Sequence, residues 1–564
     1  MNIEVYPDKG QYRPSEEGNV CVEISSAAKG KAVLHAAFYK MHNLVFEKNY
    51  EIMLDGRNRF FTVPFQTDSC KWECYGVEVN VTLSDGKKLI ASTAFDVADH
   101  WKRAPRYGFL SDFDKEEIGK LEDVEALNKF HINIVQFYDW MYRHDELVPK
   151  EDLFIDPMGR ELSYKVVKEK VDAVHDKGMA AIAYGAVYAS LKDYHERHKH
   201  LGLYKRTGDP FHLINTFYIM DISPNSEWNE TIVSEFQKVI EEGFDGIHMD
   251  QYGFPKKAVR QNGEDKSLVD LQHCYPALIN QTEKAVKEVD KQAGLIFNNV
   301  SNYPVHTTAK ANQDVVYIEV WPPVIHYREL KQLIDRGREL SENKHVILSA
   351  YLPPFHKEYE NYNVEHAENG ALMTMATIFA SGGYHLLLGE HYKALTTAYY
   401  PDYGELRQSF IQEVSQYYDF IVRYGPLLYD HDLLDVSMTY TGGVNTEVQW
   451  ESDHPVVPNG DLNTIWSIVK QHPDYLIIHL INLIELENDY WEHSKENRPE
   501  TQADISCSIL MERPIKAIYL TSPDHTSIMP KELNFEVVNH EQGEAAKFWI
   551  PELKIWDMIY VEWE

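Results

Sequence analysis

The chain has 564 residues, which is long for one ordinary domain and enough for two or three. Its 88 acidic residues outnumber 55 basic ones, giving a formal net charge of −33 at pH 7. Because phosphate groups bind to basic surfaces, this balance argues against nucleic acid or an anionic membrane as a partner. The sequence also lacks a run of about 18 apolar residues, so no membrane span is expected.

Residues 1–98 alternate between apolar and polar side chains with the period of β-strands. Candidate strands at 21–24, 32–39, 59–64, 75–83 and 89–97, separated by turn signals such as Asp55-Gly56 and Asp85-Gly86, predict a small β-sandwich. Residues 98–105 are interpreted as the linker that follows it. The N-terminus has no basic region followed by an apolar core, so no secretory signal is expected. We therefore expect a cytoplasmic protein, or a secreted one if a leader has been removed.

From residue 106 onwards, strand and helix patterns alternate. Predicted helices occupy 115–129, 163–177, 227–242, 266–292, 325–340, 366–381 and 403–423. The predicted strands are 107–112, 132–140, 179–185, a run ending at Asp250, 295–299, a run carrying Glu319, 345–351 and 384–390. Eight such units, with strands that are apolar on both faces, predict a multidomain α/β protein whose residues 99–430 form a parallel (β/α)8 TIM barrel.

After residue 430 the strand period returns. Candidate strands lie at 437–441, 448–451, 475–482, 505–510, 517–520, 547–550 and 559–562. They predict a second β-sandwich over residues 431–564. The five cysteines are scattered and odd in number, so no disulfide framework is expected.

Two acids stand at the carboxyl ends of predicted barrel strands, where the active site of this fold lies. Asp250 ends one apolar run and Glu319 ends another. Cleavage of a glycosidic bond needs one carboxyl to protonate the leaving oxygen and one to meet the positive charge at the anomeric carbon. Asp250 is the candidate nucleophile, because its side chain is short and has little freedom at a strand end. Glu319 is the candidate acid/base. Strand-end carboxylates also bind metals or pair with Lys and Arg, and these alternatives stay open.

Further polar and aromatic residues near the same strand ends are candidates for contacts with a sugar. These substrate-binding candidates are Asp112, Gln136, Tyr138, Asp139, Trp140, Tyr184, His248, Gln251, Asn298, Trp321, Tyr351 and Glu390. Their alternative roles are structural: aromatics pack loops, acids form salt bridges, and His248 fits a core histidine. The histidines at 195, 198 and 200 are interpreted as an exposed polar loop and not as a metal site. No metal and no cofactor are required by this chemistry.

Several of these segments resemble glycoside hydrolase family 66, which comprises endo-dextranases and cycloisomaltooligosaccharide glucanotransferases. The resemblance covers most of the chain and includes Tyr6-Pro-Asp-Lys-Gly-Gln-Tyr-Arg-Pro, Tyr107-Gly-Phe-Leu-Ser-Asp-Phe, Asn133-Ile-Val-Gln-Phe-Tyr-Asp-Trp and Phe244-Asp-Gly-Ile-His-Met-Asp-Gln. It implies an immunoglobulin-like sandwich, a catalytic barrel and a C-terminal Greek-key sandwich. It also implies hydrolysis of internal α-1,6-glucosidic linkages with retention, with Asp250 as nucleophile and Glu319 as acid/base.

Members that form cyclic products usually carry an additional carbohydrate-binding module inserted in the barrel. The segment 106–430 has no insert of that size, which favours a hydrolase acting on dextran or isomaltooligosaccharides. A cyclising glucanotransferase, a non-catalytic glucan-binding protein and a barrel glycosidase with another linkage preference remain alternatives. The sequence indicates no oligomeric state.

Overall fold

The computed structural model describes residues 2–25, 28–261, 263 and 265–564. It shows a multidomain α/β protein in which antiparallel sheets precede and follow a large, mostly parallel sheet. The helices are α1 (Glu122–Lys129), α2 (Tyr164–Asp176), α3 (Lys192–Arg197), α4 (Glu227–Glu241), α5 (Tyr275–Val289), α6 (Val305–Thr308), α7 (Tyr327–Leu340), α8 (Val364–Ala380), α9 (Gln408–Arg423), α10 (Gly425–Tyr429) and α11 (Ser437–Tyr440).

Two antiparallel sheets form the N-terminal part. Their strands are β1 (Asn2–Pro7), β2 (Glu17–Ser25), β3 (Lys29–Lys40), β4 (Asn43–Asp55), β5 (Arg59–Gln66), β6 (Trp72–Leu83) and β7 (Lys88–Ala98). One sheet has the order β1-β2-β5 and the other β4-β3-β6-β7. Inward side chains of both sheets, such as Val20 and Val77, share one hydrophobic cluster. The sequence pattern identified most of these strands but missed β1 and β4.

The central part contains strands of very unequal length. They are β8 (Tyr107–Leu110), β9 (Ile134–Phe137), β10 (Leu153–Ile155), β11 (Glu161–Ser163), β12 (Ala180–Ala186), β13 (Ala189–Leu191), β14 (Leu203–Tyr204), β15 (His212–Leu213), β16 (Phe217–Ile219), β17 (Gly246–Asp250), β18 (Lys257–Arg260), β19 (Leu268–Asp270), β20 (Gly294–Val300), β21 (Val315–Glu319), β22 (Val346–Ser349), β23 (Tyr384–His385), β24 (Leu388–Gly389), β25 (Lys393–Leu395) and β26 (Tyr403–Glu405).

Within the described residues, eleven of these strands pair in the order β23-β22-β21-β20-β17-β12-β9-β8-β24-β25-β26. Neighbours from β8 to β23 are parallel, which explains why their residues are apolar on both faces. His385 pairs with Leu348 of β22, while Gly389 pairs with Phe109 of β8. One short segment therefore joins both ends of the parallel sheet, and the sheet curls into a barrel-like form.

Four predicted elements of this region differ from the structure. The predicted helix 403–423 begins only at Gln408, since Tyr403–Glu405 pairs as β26. The predicted helix 115–129 begins only at Glu122, because Gly119 adopts a φ of 75° and interrupts it. The predicted helix 266–292 shortens to α5, since Leu268–Asp270 pairs as β19. The eighth strand is divided into β23 and β24. By contrast, α2 ends just before Gly178, whose φ of 65° fits the predicted helix end.

Loops after β12 and β17 carry two small antiparallel sheets, with the orders β13-β16-β15 and β14-β18-β19. The first places Leu213, Ile214 and Phe217 beside the ends of the parallel strands. The loop after β24, which returns through β25 and β26, adds residues 398–400 to the same place. These excursions therefore build walls around the carboxyl ends of the parallel strands.

The C-terminal part consists of two further sheets. Its strands are β27 (Leu434–Asp435), β28 (Val448–Glu451), β29 (Val456–Val457), β30 (Ile465–Gln471), β31 (Tyr475–Asn482), β32 (Ile505–Leu510), β33 (Ile515–Thr521), β34 (Lys531–Leu533), β35 (Phe535–His540), β36 (Gly543–Ile550) and β37 (Trp556–Trp563). The orders are β27-β30-β31-β37-β33-β34 and β28-β32-β36-β35. The strand predicted at 437–441 is wrong: a turn at Asp435, which accepts from the Ser437 N–H, starts helix α11 there.

Helix α9 connects the N-terminal sheets with the central part. Asp419 accepts hydrogen bonds from the Thr93 hydroxyl and the Ala94 N–H on β7, and its Oδ1 lies 2.8 Å from His131 Nε2. Arg423 forms an ion pair of 2.7 Å with Glu78 on β6. Among the described residues, every helix is too short or too polar to cross a membrane.

Candidate active site

Asp250 and Glu319 lie at the carboxyl ends of β17 and β21, the two strands on either side of β20. Asn298 of β20 stands between them. Its Nδ2 donates to Asp250 Oδ1 at 2.7 Å and to Glu319 Oε2 at 2.9 Å. The two accepting oxygens are therefore at most 5.6 Å apart, the sum of those distances. The structure thus brings together two carboxyls that are 69 positions apart in the sequence.

A tyrosine hydroxyl holds the second oxygen of each carboxyl. Tyr184, on β12, donates to Asp250 Oδ2 at 2.6 Å, and Tyr351, after β22, donates to Glu319 Oε1 at 3.0 Å. Each carboxyl consequently has one hydroxyl donor and shares the amide of Asn298. These donors fix the orientation of both groups, since each side chain is held at both oxygens.

The two carboxyls differ in acidity. Burial raises the pKa of Asp250 to about 6, against the hydrogen bonds from Tyr184 and Asn298, which favour its charged form. Burial, and then the charge of Asp250, raise the pKa of Glu319 to about 7. Between these values Asp250 is mainly ionised while Glu319 is mainly protonated. The site can therefore supply one nucleophile and one acid near neutral pH.

A cavity of about 540 Å³ opens over the two carboxyls. Its wall is rich in aromatic side chains, including Tyr138, which stacks on Tyr400 at a centroid distance of 4.2 Å. Trp321 is 38% exposed and forms part of the rim. The predicted substrate-binding residues that line this cavity are Gln136, Tyr138, Asp139, Tyr184, His248, Gln251, Asn298, Trp321 and Tyr351.

Asp139 contributes a third carboxyl to the cavity. It lies two residues after β9, adopts a φ of 49° and lines the cavity. Burial raises its pKa to about 7, while the guanidinium of Arg160 opposes that rise. Near pH 7 the carboxyl can therefore donate a hydrogen bond to a sugar hydroxyl when it is protonated, and accept one when it is ionised.

Two lining residues have their polar groups occupied by the protein. Gln251 donates from Nε2 to the carbonyls of Asn298 and Tyr303, and its Oε1 accepts from Gly253 N–H. His248 Nδ1 lies 3.1 Å from the Tyr107 hydroxyl, and burial lowers its pKa to about 3. His248 is therefore neutral, with its Nδ1 beside Tyr107 and its ring in the wall of the cavity, and Gln251 shapes the loop after β17.

Three predicted substrate-binding residues do not line the cavity. Trp140 is fully buried, packs against Phe244 and donates to the Tyr184 carbonyl. Glu390 is fully buried and accepts from Ser111. Asp112 is half-buried and donates its N–H to Glu390. Their contacts are with other protein groups, so the placement of all three favours the structural alternative.

The sequence prediction missed the residues that loops bring to the cavity. The further lining residues are His144, Met158, Leu213, Ile214, Phe217, Tyr252, Val300, Ser301, Tyr317, Pro322, Ala398, Tyr399 and Tyr400. Most lie in loops, where strand periodicity gives no signal. Aromatic signals that could have been followed are Tyr252, directly after Gln251, and the adjacent pair Tyr399-Tyr400 in the loop after the eighth strand.

Groups of potential metal ligands in the described residues lie away from the cavity. They are Asp112, Glu117 and His391, and Asp430, Asp432 and His472. The histidine run at 195–200 departs from the expected exposed loop, since His195 is 4% exposed and stacks on Tyr218 at 4.5 Å. Its ring is therefore part of the packing of α3.

Two buried carboxyls at this separation, beneath an aromatic cavity, are typical of enzymes that cleave or transfer glycosidic bonds. The comparison with known families agrees with that class. The model of glycosyl hydrolase family 66 matches residues 7–560, and the chain belongs to this family.

Curated relatives include two kinds of enzyme. The chain is 25% identical to a cycloisomaltooligosaccharide glucanotransferase from Niallia circulans, over 99% of this chain and 71% of the relative. It is 24% identical to a dextranase from Streptococcus salivarius, over 86% of this chain and 67% of the relative. A crystal structure of a Paenibacillus sp. cycloisomaltooligosaccharide glucanotransferase, complexed with cycloisomaltoheptaose, superposes with a TM-score of 0.89 at 21% identity, covering 99% of both chains.

Proposed function

We propose that this protein hydrolyses internal α-1,6-glucosidic linkages of dextran or isomaltooligosaccharides with retention of configuration. The observation that carries the proposal is the separation of at most 5.6 Å between facing oxygens of Asp250 and Glu319. Retaining enzymes hold their carboxyls about 5–5.5 Å apart, whereas inverting enzymes leave about 6.5–9.5 Å for a water. A shared amide donor leaves no room for that water between the two groups.

In the first step, Glu319 protonates the glycosidic oxygen while an Asp250 oxygen attacks the anomeric carbon. The C–O bond to the leaving sugar breaks, and a covalent glucosyl ester of Asp250 forms. The Tyr184 and Asn298 donors hold the Asp250 carboxylate in one orientation, so its attacking lone pair is directed without a rotamer search. Glu319 is left as a carboxylate.

In the second step, that Glu319 carboxylate removes a proton from a water, which attacks the same anomeric carbon. The ester bond breaks, Asp250 is released as a carboxylate, and Glu319 is protonated again. Burial and the charge of Asp250 favour the protonated form of Glu319 before the first step. Loss of that charge in the ester lowers the pKa of Glu319, which favours the carboxylate that acts as base in the second step. Two inversions at one carbon give net retention.

A neutral glucan fits the cavity and the charge of the molecule. Aromatic faces such as those of Tyr138 and Trp321 match the C–H faces of a pyranose, and a neutral polymer is not repelled by a net charge of −33. The dextranase from Streptococcus salivarius supports dextran as the substrate class. We therefore assign α-1,6-linked glucose units to the cavity.

Hydrolysis is favoured over cyclisation by a difference in length. The alignment with the Niallia circulans glucanotransferase spans 717 positions, 153 more than the 564 residues of this chain. At least that many aligned positions of the relative consequently have no counterpart here. A chain without such additional segments has fewer surfaces to hold the far end of a glucan for cyclisation.

We also propose the domain assignment that this chemistry requires. Residues 99–430 form the catalytic (β/α)8 barrel, supported by the short segment 384–389 that joins both ends of the parallel sheet. Residues 1–98 form an immunoglobulin-like sandwich and residues 431–564 a Greek-key sandwich, supported by separate hydrophobic clusters in each.

The second candidate function is a cycloisomaltooligosaccharide-forming glucanotransferase. The observation that favours it is the TM-score of 0.89 to such an enzyme, over nearly the whole of both chains. A sugar hydroxyl then replaces water in the second step. Mass spectrometry of the products from dextran separates the two, because each cyclic product lacks one water relative to the linear one. If the products are mainly cyclic, the protein is a glucanotransferase and the proposed hydrolysis is wrong.

The primary test is incubation of the protein with dextran, followed by measurement of viscosity and reducing ends. A rapid fall in viscosity with few reducing ends is expected for internal cleavage. Asp250→Asn and Glu319→Gln should each lose nearly all turnover, whereas Glu51→Gln, an exposed acid on β4, should keep the wild-type rate. Normal rates in both cavity variants would refute the assignment, and binding without cleavage by the wild type would indicate a glucan-binding protein.

Azide distinguishes the two roles on an activated substrate such as 4-nitrophenyl α-isomaltoside. Glu319→Ala still forms the glucosyl ester, so azide should restore turnover and give an α-glucosyl azide. Asp250→Ala forms no ester, so azide should attack the substrate directly and give the β-azide. The opposite pair of products would exchange the two roles, and NMR of the anomeric proton reads out the result.

A further inference from the structure

A second large cavity, of about 620 Å³, lies between helix α7 and the C-terminal sheet. Its wall includes Lys331, Asp335 and Arg338 of α7, Ser381 after α8, and Lys470 of β30. None of its lining residues belongs to the carboxyl cavity described above. Its volume falls in the range of about 300–1,000 Å³ that is usual for small-molecule sites.

Two cations in this cavity form no direct ion pair among the described residues. Lys470 is 5% exposed, and among the described residues no carboxylate lies within 4 Å of its Nζ. Arg338 likewise has no carboxylate within that distance in the described part of the chain, and its guanidinium donates to the Asp430 carbonyl at 3.3 Å. A buried lysine without an acid is unfavourable unless another group compensates its charge.

Gly382 locates the point at which the two cations converge. A Cβ on this residue would lie 3.1 Å from Lys470 Nζ and 3.8 Å from Arg338 Nη1. The two nitrogens are therefore at most 6.9 Å apart, the sum of those distances. Gly382 also has a φ of 87°, which an L side chain rarely adopts, so this space stays open.

The acids in the cavity pair with another lysine. Lys331 Nζ lies 2.5 Å from Asp335 and 2.6 Å from Asp435. Arg336, on the exposed rim, pairs with Glu339 at 2.7 Å. Lys331, Arg338 and Lys470 together carry one more charge than Asp335 and Asp435, so this cluster keeps a net positive charge for an anionic ligand.

We propose that this cavity binds a small phosphate-bearing ligand through Lys470 and Arg338. A phosphate monoester carries about −1.5 to −2 charges at pH 7, which the net positive charge of this cluster attracts, and its three oxygens can accept hydrogen bonds from both Lys470 and Arg338. Inorganic phosphate shares this chemistry, while the size of the cavity also leaves room for a hexose attached to the phosphate. The ligand would connect α7 of the barrel-like part with β30 of the C-terminal sheet.

Protonation of Lys470 should accompany binding. Burial, and then the charge of Arg338, lower the pKa of Lys470 to about 7, so a phosphate beside it restores the charged form. The ionisable groups around Lys470 are Lys331, Asp335 and Arg338 on α7, Asp435 on β27 and His479 on β31. Phosphate affinity should therefore be higher at pH 6.5 than at pH 8, with net uptake of protons.

The test is calorimetric titration of the full chain with inorganic phosphate and, separately, with glucose 6-phosphate, at ionic strength held constant with chloride. One site per chain is expected. Lys470→Met should weaken binding at least tenfold, whereas Arg336→Gln, which removes an exposed cation of the same wall, should not change it. Tighter binding of glucose 6-phosphate would assign the site to the ester, and equal binding would assign it to the phosphate group alone; both support the proposal.

Absence of saturable binding by either compound would overturn the proposal, as would equal loss of affinity in Arg336→Gln and Lys470→Met. If Lys470→Met does not fold, two measurements remain. Arg338→Gln should also weaken phosphate binding at least tenfold. Titrations of the wild type in buffers of different ionisation enthalpy should show proton uptake near pH 7, and phosphate binding without proton uptake would contradict a role for Lys470.

Discussion

Asn298 is the residue that makes the two carboxyls one unit. Its single amide nitrogen donates to both Asp250 and Glu319, so neither can turn away without losing a hydrogen bond. Its Oδ1 is buried with no hydrogen-bond partner among the described residues. The residue thus positions both carboxyls through its amide nitrogen alone.

Replacing Tyr184 or Tyr351 by phenylalanine tests the pKa values of Asp250 and Glu319, because each hydroxyl donates to one of these carboxyls. A hydrogen bond to the charged form of a carboxyl lowers its pKa, so its removal raises the pKa, by about 1 unit for a bond worth about 1.4 kcal/mol. Tyr184→Phe should move the acidic limb of the pH–rate profile upward, because ionised Asp250 is required. Tyr351→Phe should move the basic limb upward, because protonated Glu319 is required.

The measurement is kcat/KM from pH 4 to 9 for both variants and the wild type, whose limbs should lie near the pKa values of about 6 for Asp250 and about 7 for Glu319. Since the carboxyls interact, the limbs report the pair and not isolated groups. A shift of the same limb in both variants, or of neither limb, would contradict the division of roles.

Asp557 gives a prediction for stability against pH. It is fully buried on β37, and its carboxyl oxygens have no hydrogen-bond partner within 3.5 Å among the described residues. Burial raises its pKa well above the usual value, so the folded state binds a proton that the unfolded chain loses above about pH 4. Stability should consequently fall as pH rises, by up to about 1.4 kcal/mol per unit.

Asp557→Asn removes that ionisation while keeping the shape of the side chain. The Tm of the variant should exceed that of the wild type increasingly from pH 5 to pH 7, and the two should converge near pH 4. Scanning calorimetry at these pH values is the measurement. Parallel curves of Tm against pH would show that Asp557 does not titrate in this range.

At the scale of elements, the barrel strands could be predicted because their burial is visible in the sequence. Strands such as β17 and β21 are buried along their whole length, and the acid that breaks each apolar run marks its end. Strand β4 has mostly exposed residues, so the sequence does not separate it from a loop. Helix α11 replaced a predicted strand because the Asp435 turn, a local hydrogen-bond effect, overrode the propensity of its residues.

The same distinction explains the candidate site. The sequence predicted the strand-end carboxyls, Asn298 and the tyrosines that hold them, since their positions follow from strand register. It could not predict Met158 or Ile214, because these reach the cavity through loops whose paths depend on tertiary packing. Nor could it predict that Trp140 turns away from the cavity to pack on Phe244, since alternation along a strand that ends at Phe137 no longer applies at position 140.

Replacing two glycines that have a positive φ separates the cost of backbone strain from the cost of a close contact at a helix end. Gly178 follows α2 with a φ of 65°, and a Cβ there would lie 2.4 Å from the Gln11 carbonyl oxygen. Gly119 has a similar φ of 75° but nothing within 4 Å of a Cβ. Gly119→Ala should therefore cost about 1 kcal/mol through backbone strain alone, and Gly178→Ala should cost at least about 1 kcal/mol more. Calorimetric Tm values show which variant is less stable. Equal losses of stability in the two variants would show that the structure relaxes the contact with the Gln11 carbonyl.

At the scale of the whole molecule, α9 joins the N-terminal sheets to the barrel-like part through buried charges. Arg423 is fully buried, pairs with Glu78 and donates to the Met41 carbonyl, and Gly76 leaves the space that its guanidinium occupies. Asp419, one turn earlier, bonds to Thr93 and Ala94. These contacts should make the N-terminal sheets and the central part unfold together.

Arg423→Met should separate them. The substitution keeps an unbranched apolar side chain but leaves Glu78 buried without its cation, which costs about 3–5 kcal/mol for pairs of this kind. We expect the calorimetric transition to divide, with an earlier component from the N-terminal sheets, and limited proteolysis to release a fragment near the linker at residues 98–105. Lys31→Met, which removes an exposed pair with Glu51 between β3 and β4, should leave the profile unchanged. A single transition at the wild-type Tm in Arg423→Met would mean that apolar packing on α9, and not its charges, joins the two parts.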